Sequence, residues 1–140
     1  MKRGFTAIEI ILSLGVLAIA TTLAVPMFRN YMLRSDLEIA QQNVSQSIER
    51  AKLLAQLNDH DSAWGFSTDA VPARGVLFMG ETYATRNGDF DELYPIPSSV
   101  SVSGLSEVSF DKRTGLPNRA GSITLTSLTG EERQVTVSIQ

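Results

Sequence analysis

From Ile10 to Phe28 the chain carries no formally charged residue. A helix needs about 20 apolar residues to cross the hydrocarbon core of a bilayer, and this run of 19 is close to that length. It is rich in Leu, Ile, Val and Ala, and its few polar side chains, Ser13, Thr21 and Thr22, can bond back to helical carbonyls. A helix apolar on all sides is either enclosed by a large core or placed in lipid. A chain of 140 residues whose remaining sequence is mixed has no core large enough to enclose it. The segment therefore reads as a membrane span, and Lys2 and Arg3 just before it put the N-terminus on the cytoplasmic side.

The run is entered through Gly4-Phe5-Thr6-Ala7-Ile8-Glu9. Glu9 is the anomaly, because a carboxylate near the centre of a spanning helix costs about 2.5–3.5 kcal/mol on insertion scales. Its place one turn from the start of the apolar segment lowers that cost. It also invites a cationic partner, such as a free amine at Phe5 if the chain were cut after Gly4.

Lys-Arg-Gly-Phe-Thr-Ala-Ile-Glu followed by a long aliphatic run resembles the leader of type IV prepilins, shared by type IV pilins and type II secretion pseudopilins. The resemblance implies that a prepilin peptidase cuts after Gly4, that Phe5 becomes an N-methylated N-terminus, and that Glu9 is the family's assembly carboxylate. Pro26 matches the family's helix-kinking proline at the expected distance from Phe5. An ordinary uncleaved signal anchor has no reason to carry Gly-Phe and Glu at these offsets. Ala18-Ile19-Ala20 imitates a signal-peptidase site only weakly, because the apolar run continues past it.

The net charge is −3, and removal of Lys2 and Arg3 with the leader would take it to −5. An acidic balance argues against nucleic acid as a partner. There is no cysteine, so neither a disulfide framework nor thiol chemistry is available.

Beyond the span, no Gly or Pro interrupts Met27 to Asp59. Apolar residues recur at Leu33, Leu37, Ala40, Val44, Ile48, Ala51 and Ala55, in steps of three and four that mark one helical face. One helix is expected from about Phe5 to about Leu57, interrupted by a kink or local melting at Pro26. Its second half should pack on the chain's own globular part. Asn58-Asp59-His60-Asp61-Ser62 ends it with turn-forming residues.

Short β-prone pieces follow: 63–67, 75–79, 82–85, 99–103, 107–110, 122–127 and 133–139. Ser122–Ser127 and Gln134–Ile139 alternate apolar with polar and are joined by a turn, which reads as a hairpin. Val108-Ser109-Phe110 reads as a strand running into the turn Asp111–Gly115. Residues 104 to 139 also resemble the end of the GspH/FimT group of minor pilins and pseudopilins. That group often continues into a Gly-Arg-containing tail that is not found here.

Little else in the chain points to chemistry. His60, the single histidine, lacks the companions a zinc site requires. Asn87-Gly88-Asp89-Phe90-Asp91-Glu92 offers alternating oxygen ligands, with Asp89, Asp91 and Glu92 as a weak calcium candidate. Asn-Gly is equally a strong turn signal. No metal or other cofactor is otherwise expected. Trp64, Phe66, Phe78, Tyr83 and Tyr94 are expected to fill the seam between helix and sheet.

The expected fold is therefore α+β and pilin-like: a long N-terminal α-helix, membrane-spanning in its first half, packed on a C-terminal antiparallel β domain. It divides into a leader (1–4), a transmembrane or filament-core helix (5–28), its amphipathic continuation (29–58) and a β-rich globular domain (59–140). By resemblance the chain is a structural subunit, not an enzyme. Its expected partners are the prepilin peptidase, other pilin or pseudopilin subunits, an inner-membrane assembly platform and membrane lipid. Its expected location is the cytoplasmic (inner) membrane, single-pass, with the domain outside the cytoplasm, and then a pilus or pseudopilus. Two rivals stand beside this: a DNA-binding minor pilin, and an uncleaved membrane-tethered enzyme or binding domain.

Overall fold

The computed structural model describes residues 5–70 and 74–139, with the side chains of 23–25, 70 and 74 outside that description. Gly4, the expected last leader residue, lies outside the described residues. The chain divides into two compact units, one ending at Met32 and the other beginning at Leu33.

The first unit is helical, and so are the opening residues of the second: α1 spans Ala7–Gln56. The Thr6 carbonyl accepts the first bonds of the helix, from the amides of Glu9 (3.1 Å) and Ile10 (3.3 Å). Glu9 sits in the first turn, where a carboxylate faces the positive end of the helix dipole. Pro26 lies inside the helix.

In the second unit the periodic stripe behaves as its spacing predicts. Leu37, Ala40, Val44, Ile48, Ala51 and Ala55 are all buried. Three of the six are alanines, so the helix axis can come close to the sheets it covers. Ser47 is buried among them, and its hydroxyl is satisfied by the Asn43 carbonyl one turn back. The helix ends where Asn58 turns left-handed (φ 56°), a conformation that asparagine tolerates better than most residues. The Arg113 amide donates to the Ala55 carbonyl (2.7 Å), satisfying one of the acceptors a helix C-terminus leaves open.

Seven strands follow: β1 Trp64–Ala70, β2 Arg74–Met79, β3 Asn87–Pro95, β4 Val100–Gly104, β5 Glu107–Phe110, β6 Gly121–Ser127 and β7 Glu132–Val137. They form two antiparallel sheets, ordered β3-β2-β1-β5 and β4-β6-β7. The fold is α+β, as expected. Trp64, Phe66, Leu77, Val108 and Phe110 of the first sheet and Val100, Ile123, Leu125 and Val137 of the second join the helix stripe in one core.

Two segments depart from their sequence expectations, and both departures are local. Residues 82–85 do not form a strand. Tyr83–Thr85 is a 3-10 turn, started by the Thr82 hydroxyl, which accepts from the Thr85 amide (3.3 Å). This turn closes over the outer face of the first sheet. Phe78 alternates with core-facing Leu77 and therefore lies on that outer face, fully buried. Gly65 makes room for it, since a Cβ there would enter the Phe78 ring. Tyr83 meets Phe78 edge-on (5.7 Å), and Arg86 stacks on Tyr83 (3.8 Å). So Phe78 and Tyr83 form a second, smaller cluster and do not fill the helix–sheet seam. Trp64 and Phe66 do fill it, and Tyr94 packs against its edge.

The second departure is the segment from Asn87, whose Asn-Gly start reads as a turn or ion loop. It is the nine-residue strand β3.

Candidate functional site

The first unit defines the site. Over the described side chains from Phe5 to Met32, every residue is exposed. Phe5 (79%), Ile11 (69%) and Phe28 (65%) are among eleven large apolar side chains left uncovered between Phe5 and Phe28. Burying a side chain of this kind contributes roughly 1.5–3 kcal/mol. Leaving all of them in water would forfeit on the order of 20 kcal/mol, more than the roughly 5–15 kcal/mol that holds a typical domain folded. Among the described residues, the chain itself leaves this surface uncovered. Its most apolar 18-residue window has a mean hydropathy of 2.3 and none of it is buried, so the helix is long and apolar enough to cross a membrane.

The polar side chains inside this surface are turned inward. Ser13 donates to the Glu9 carbonyl (2.7 Å), Thr21 to those of Leu17 (3.0 Å) and Ala18 (2.9 Å), and Thr22 to that of Ile19 (2.7 Å). Each hydroxyl is thus satisfied within the helix and does not have to be taken unpaired into an apolar surround. Glu9 is the remaining polar group in the first turn. Among the described residues it has no ion-pair partner, and Phe5 stands one turn before it.

The other sequence candidates are placed but not assembled. Asp89, Asp91 and Glu92 do not converge. On a strand, Asp89 and Asp91 share one face and Glu92 takes the other. Asp91 is bound by the Arg86 guanidinium (2.8 Å), and this hydrogen bond raises the arginine pKa still further. Glu92 pairs with Arg50 of α1 (2.7 Å) and accepts from the Tyr94 hydroxyl (3.2 Å). Burial, with Glu92 nearby, pushes the Tyr94 hydroxyl up from its ordinary pKa. No group of three or more His, Asp or Glu side chains is arranged to hold a metal among the described residues.

His60 packs against Phe90 with the rings tilted (4.5 Å between centroids) and lies 3.1 Å from Asp59, within a tight turn where Asn58, His60 and Asp61 all have positive φ. Asp61 is held below the usual carboxylate range, first by the Asn58 side chain and then by Lys112, whose ammonium is 3.3 Å away. Nothing here supplies a nucleophile, a base and an acceptor site together.

Arg34, Arg50, Arg86, Arg113 and Arg133 each have a carboxylate within 4.0 Å.

No protein-family model matches the chain, and no solved structure matches it.

Proposed function

We propose that the chain is a type IV pilin-like subunit, a minor pilin or pseudopilin of a type IV pilus or type II secretion pseudopilus, and that its work is assembly. Residues 1–4 are removed by a prepilin peptidase, and Phe5 becomes an N-methylated N-terminus. The helix holds the subunit in the cytoplasmic membrane, with the domain on the far side. It then exchanges lipid for the helices of neighbouring subunits, directed by an assembly platform. One observation carries the reading. An uncovered apolar helix begins directly after Gly4-Phe5, bears a single carboxylate one turn in, and continues as the covered helix of a β domain.

In that setting Glu9 neutralises the Phe5 amine of its own or an adjacent subunit. Either charge alone in an apolar surround is costly, and the pair is much less so, which fixes register between subunits. The test is Glu9→Val expressed beside the wild-type chain. We expect undiminished membrane insertion and loss of the variant from sheared filaments. Recovery of Glu9→Val in filaments at wild-type levels would overturn the role.

A further inference from the structure

The β domain has two ends, and the second half of α1 runs from one to the other. At the first end Arg34 is 3.5 Å from Glu131, which follows the β6–β7 turn, and Asp36 accepts from the Ser99 hydroxyl (2.6 Å) in the loop between β3 and β4. The Leu128 amide donates to the Ser99 carbonyl (3.2 Å), which ties turn and loop together. At the second end the Arg113 amide meets the Ala55 carbonyl, about 30 Å along the helix from Arg34.

The two ends differ in charge. The turns 58–62 and 111–115 of the second end carry Asp59, His60, Asp61, Asp111, Lys112 and Arg113. At the first end, residues 96–99 (Ile-Pro-Ser-Ser) and 128–130 (Leu-Thr-Gly) carry no charge. Glu131 beside them is matched by Arg34 and by Arg133 (3.2 Å).

Leu128 is 73% exposed, more than any other large apolar side chain described after Leu33. A lone exposed leucine is ordinary on a protein surface. This one occupies the tip of a tight turn, closed by the Gly130 amide on the Ser127 carbonyl (2.9 Å) with Gly130 at φ 81°. Such tips favour Gly, Pro, Asn, Asp and Ser. The polar groups around it are already paired. The Ser127 and Thr129 hydroxyls lie 2.7 Å apart, and the Ser127 hydroxyl oxygen accepts from the Thr129 amide (3.3 Å). The turn is held in one shape, and what it presents is the leucine.

Chain length keeps this end near the apolar helix. Phe28 closes the uncharged run, and Arg34 follows six residues later. Six residues reach at most about 20 Å even when fully extended. With residues 5–28 in a bilayer, the end that carries Leu128 stays close to the bilayer surface.

We propose that the β6–β7 turn is a lipid-contact site, in which Leu128 enters the interfacial layer of the bilayer that holds the helix and the uncharged loop 96–99 lies over the headgroups beside it. The site presupposes that residues 5–28 span the membrane. An apolar side chain gains by leaving water at this depth, and an uncharged tip with its polar groups paired brings little desolvation cost with it. The contact is apolar, so zwitterionic lipid suffices. Two points, the helix and this turn, then fix how the domain stands on the bilayer.

The chain has no cysteine, so one added thiol is a unique labelling site. Thr129→Cys, carrying an environment-sensitive fluorophore, reports on the turn with Leu128 intact. Ile11→Cys reports on the helix and Leu57→Cys on the second end of the domain. The full chain is placed in phosphatidylcholine nanodiscs and quenched with nitroxide lipid or with aqueous iodide. Nitroxide lipid should quench the labels at positions 11 and 129 and spare the label at 57. The iodide quenching constant at 129 should be on the order of threefold lower than at 57. Adding Leu128→Asp to Thr129→Cys should raise it to the level at 57. Lipid quenching at 11 without lipid quenching at 129 overturns the contact and leaves the span standing. Absence of lipid quenching at 11 overturns the span, and the contact with it. Equal lipid quenching at 57, or a label at 129 that Leu128→Asp does not move, also overturns the contact, because it would then belong to no particular turn.

Discussion

The two halves of α1 are built from similar residues and meet different fates. From Ile10 to Phe28 the helix is uncharged and apolar around its circumference, and no described side chain among residues 7–32 is covered. From Leu33 onward the apolar residues retreat to one stripe, and Leu37, Ala40, Val44, Ile48, Ala51 and Ala55 are buried by the sheets. The difference lies in what the opposite face carries. In the second half Glu38, Gln42, Gln46, Glu49 and Lys52 face water, so this half has a solvent side and a core side. The first half has no solvent side, and burial in its own domain would leave most of its surface unserved. A single helix thus joins a segment covered by its own chain to one that is long and apolar enough to cross a membrane and is left uncovered.

The largest expected effect comes from separating the halves. Removing residues 1–32 should move the chain from the membrane fraction to the soluble fraction. The thermal midpoint of the β domain should stay within a few degrees, because the stripe beginning at Leu37 is retained. A fall of more than about 15 °C would mean that the first half does stabilise the domain, and the comparison would fail.

Single substitutions sharpen it. Phe66→Ala, in the middle of the shared core, should cost about 3–5 kcal/mol in denaturant unfolding. Ile11→Ala should leave the same transition unchanged. A measurable loss of domain stability in Ile11→Ala would contradict the division. Next in size, Leu17→Arg should cost about 3 kcal/mol in membrane partitioning and nothing in domain unfolding, as read by carbonate extraction alongside a melt.

The smallest expected effect is one of pH. Asp61 has a lowered pKa in the folded chain, so its contribution is complete above the unfolded carboxylate value and is lost as pH falls through the folded one. Asp61→Asn should therefore lower stability slightly at neutral pH and leave it nearly unchanged at the acid end, so that the acid limb is flatter. An unaltered acid limb would show that Lys112 and Asn58 do not act on this carboxylate.

What was legible in the sequence follows the same division. The apolar run and the stripe are local, periodic signals, and both appear where the spacing puts them. The β6–β7 hairpin was readable from two alternating segments and a short turn, and the strand at Glu107–Phe110 from its flanking turn. The strand β3 was hidden because Asn87-Gly88 mimics a turn and its acids interrupt the apolar alternation. Its register comes from β2, and its carboxylates are answered by Arg86 and Arg50, one of them 42 positions away. Thr82–Thr85 has strand-forming residues but is bent by the local Thr82 cap and by the contact of Tyr83 with Phe78. The setting of Leu128 was invisible for another reason: which turns share an end of the domain depends on the sheet order and on the contacts with Arg34 and Asp36, and no single segment encodes that. Glu9 was legible as an anomaly from its neighbours alone. That it has no ion-pair partner among the described residues is a matter of three-dimensional placement.

The account turns on the residue with which the uncovered helix begins. Mass spectrometry of the N-terminal peptide from the chain made in its own cells tests this most directly. The account predicts a peptide starting at Phe5 and carrying one added methyl group. A peptide starting at Met1 or Lys2, with the helix still in the membrane, would contradict it and leave the helix a permanent anchor.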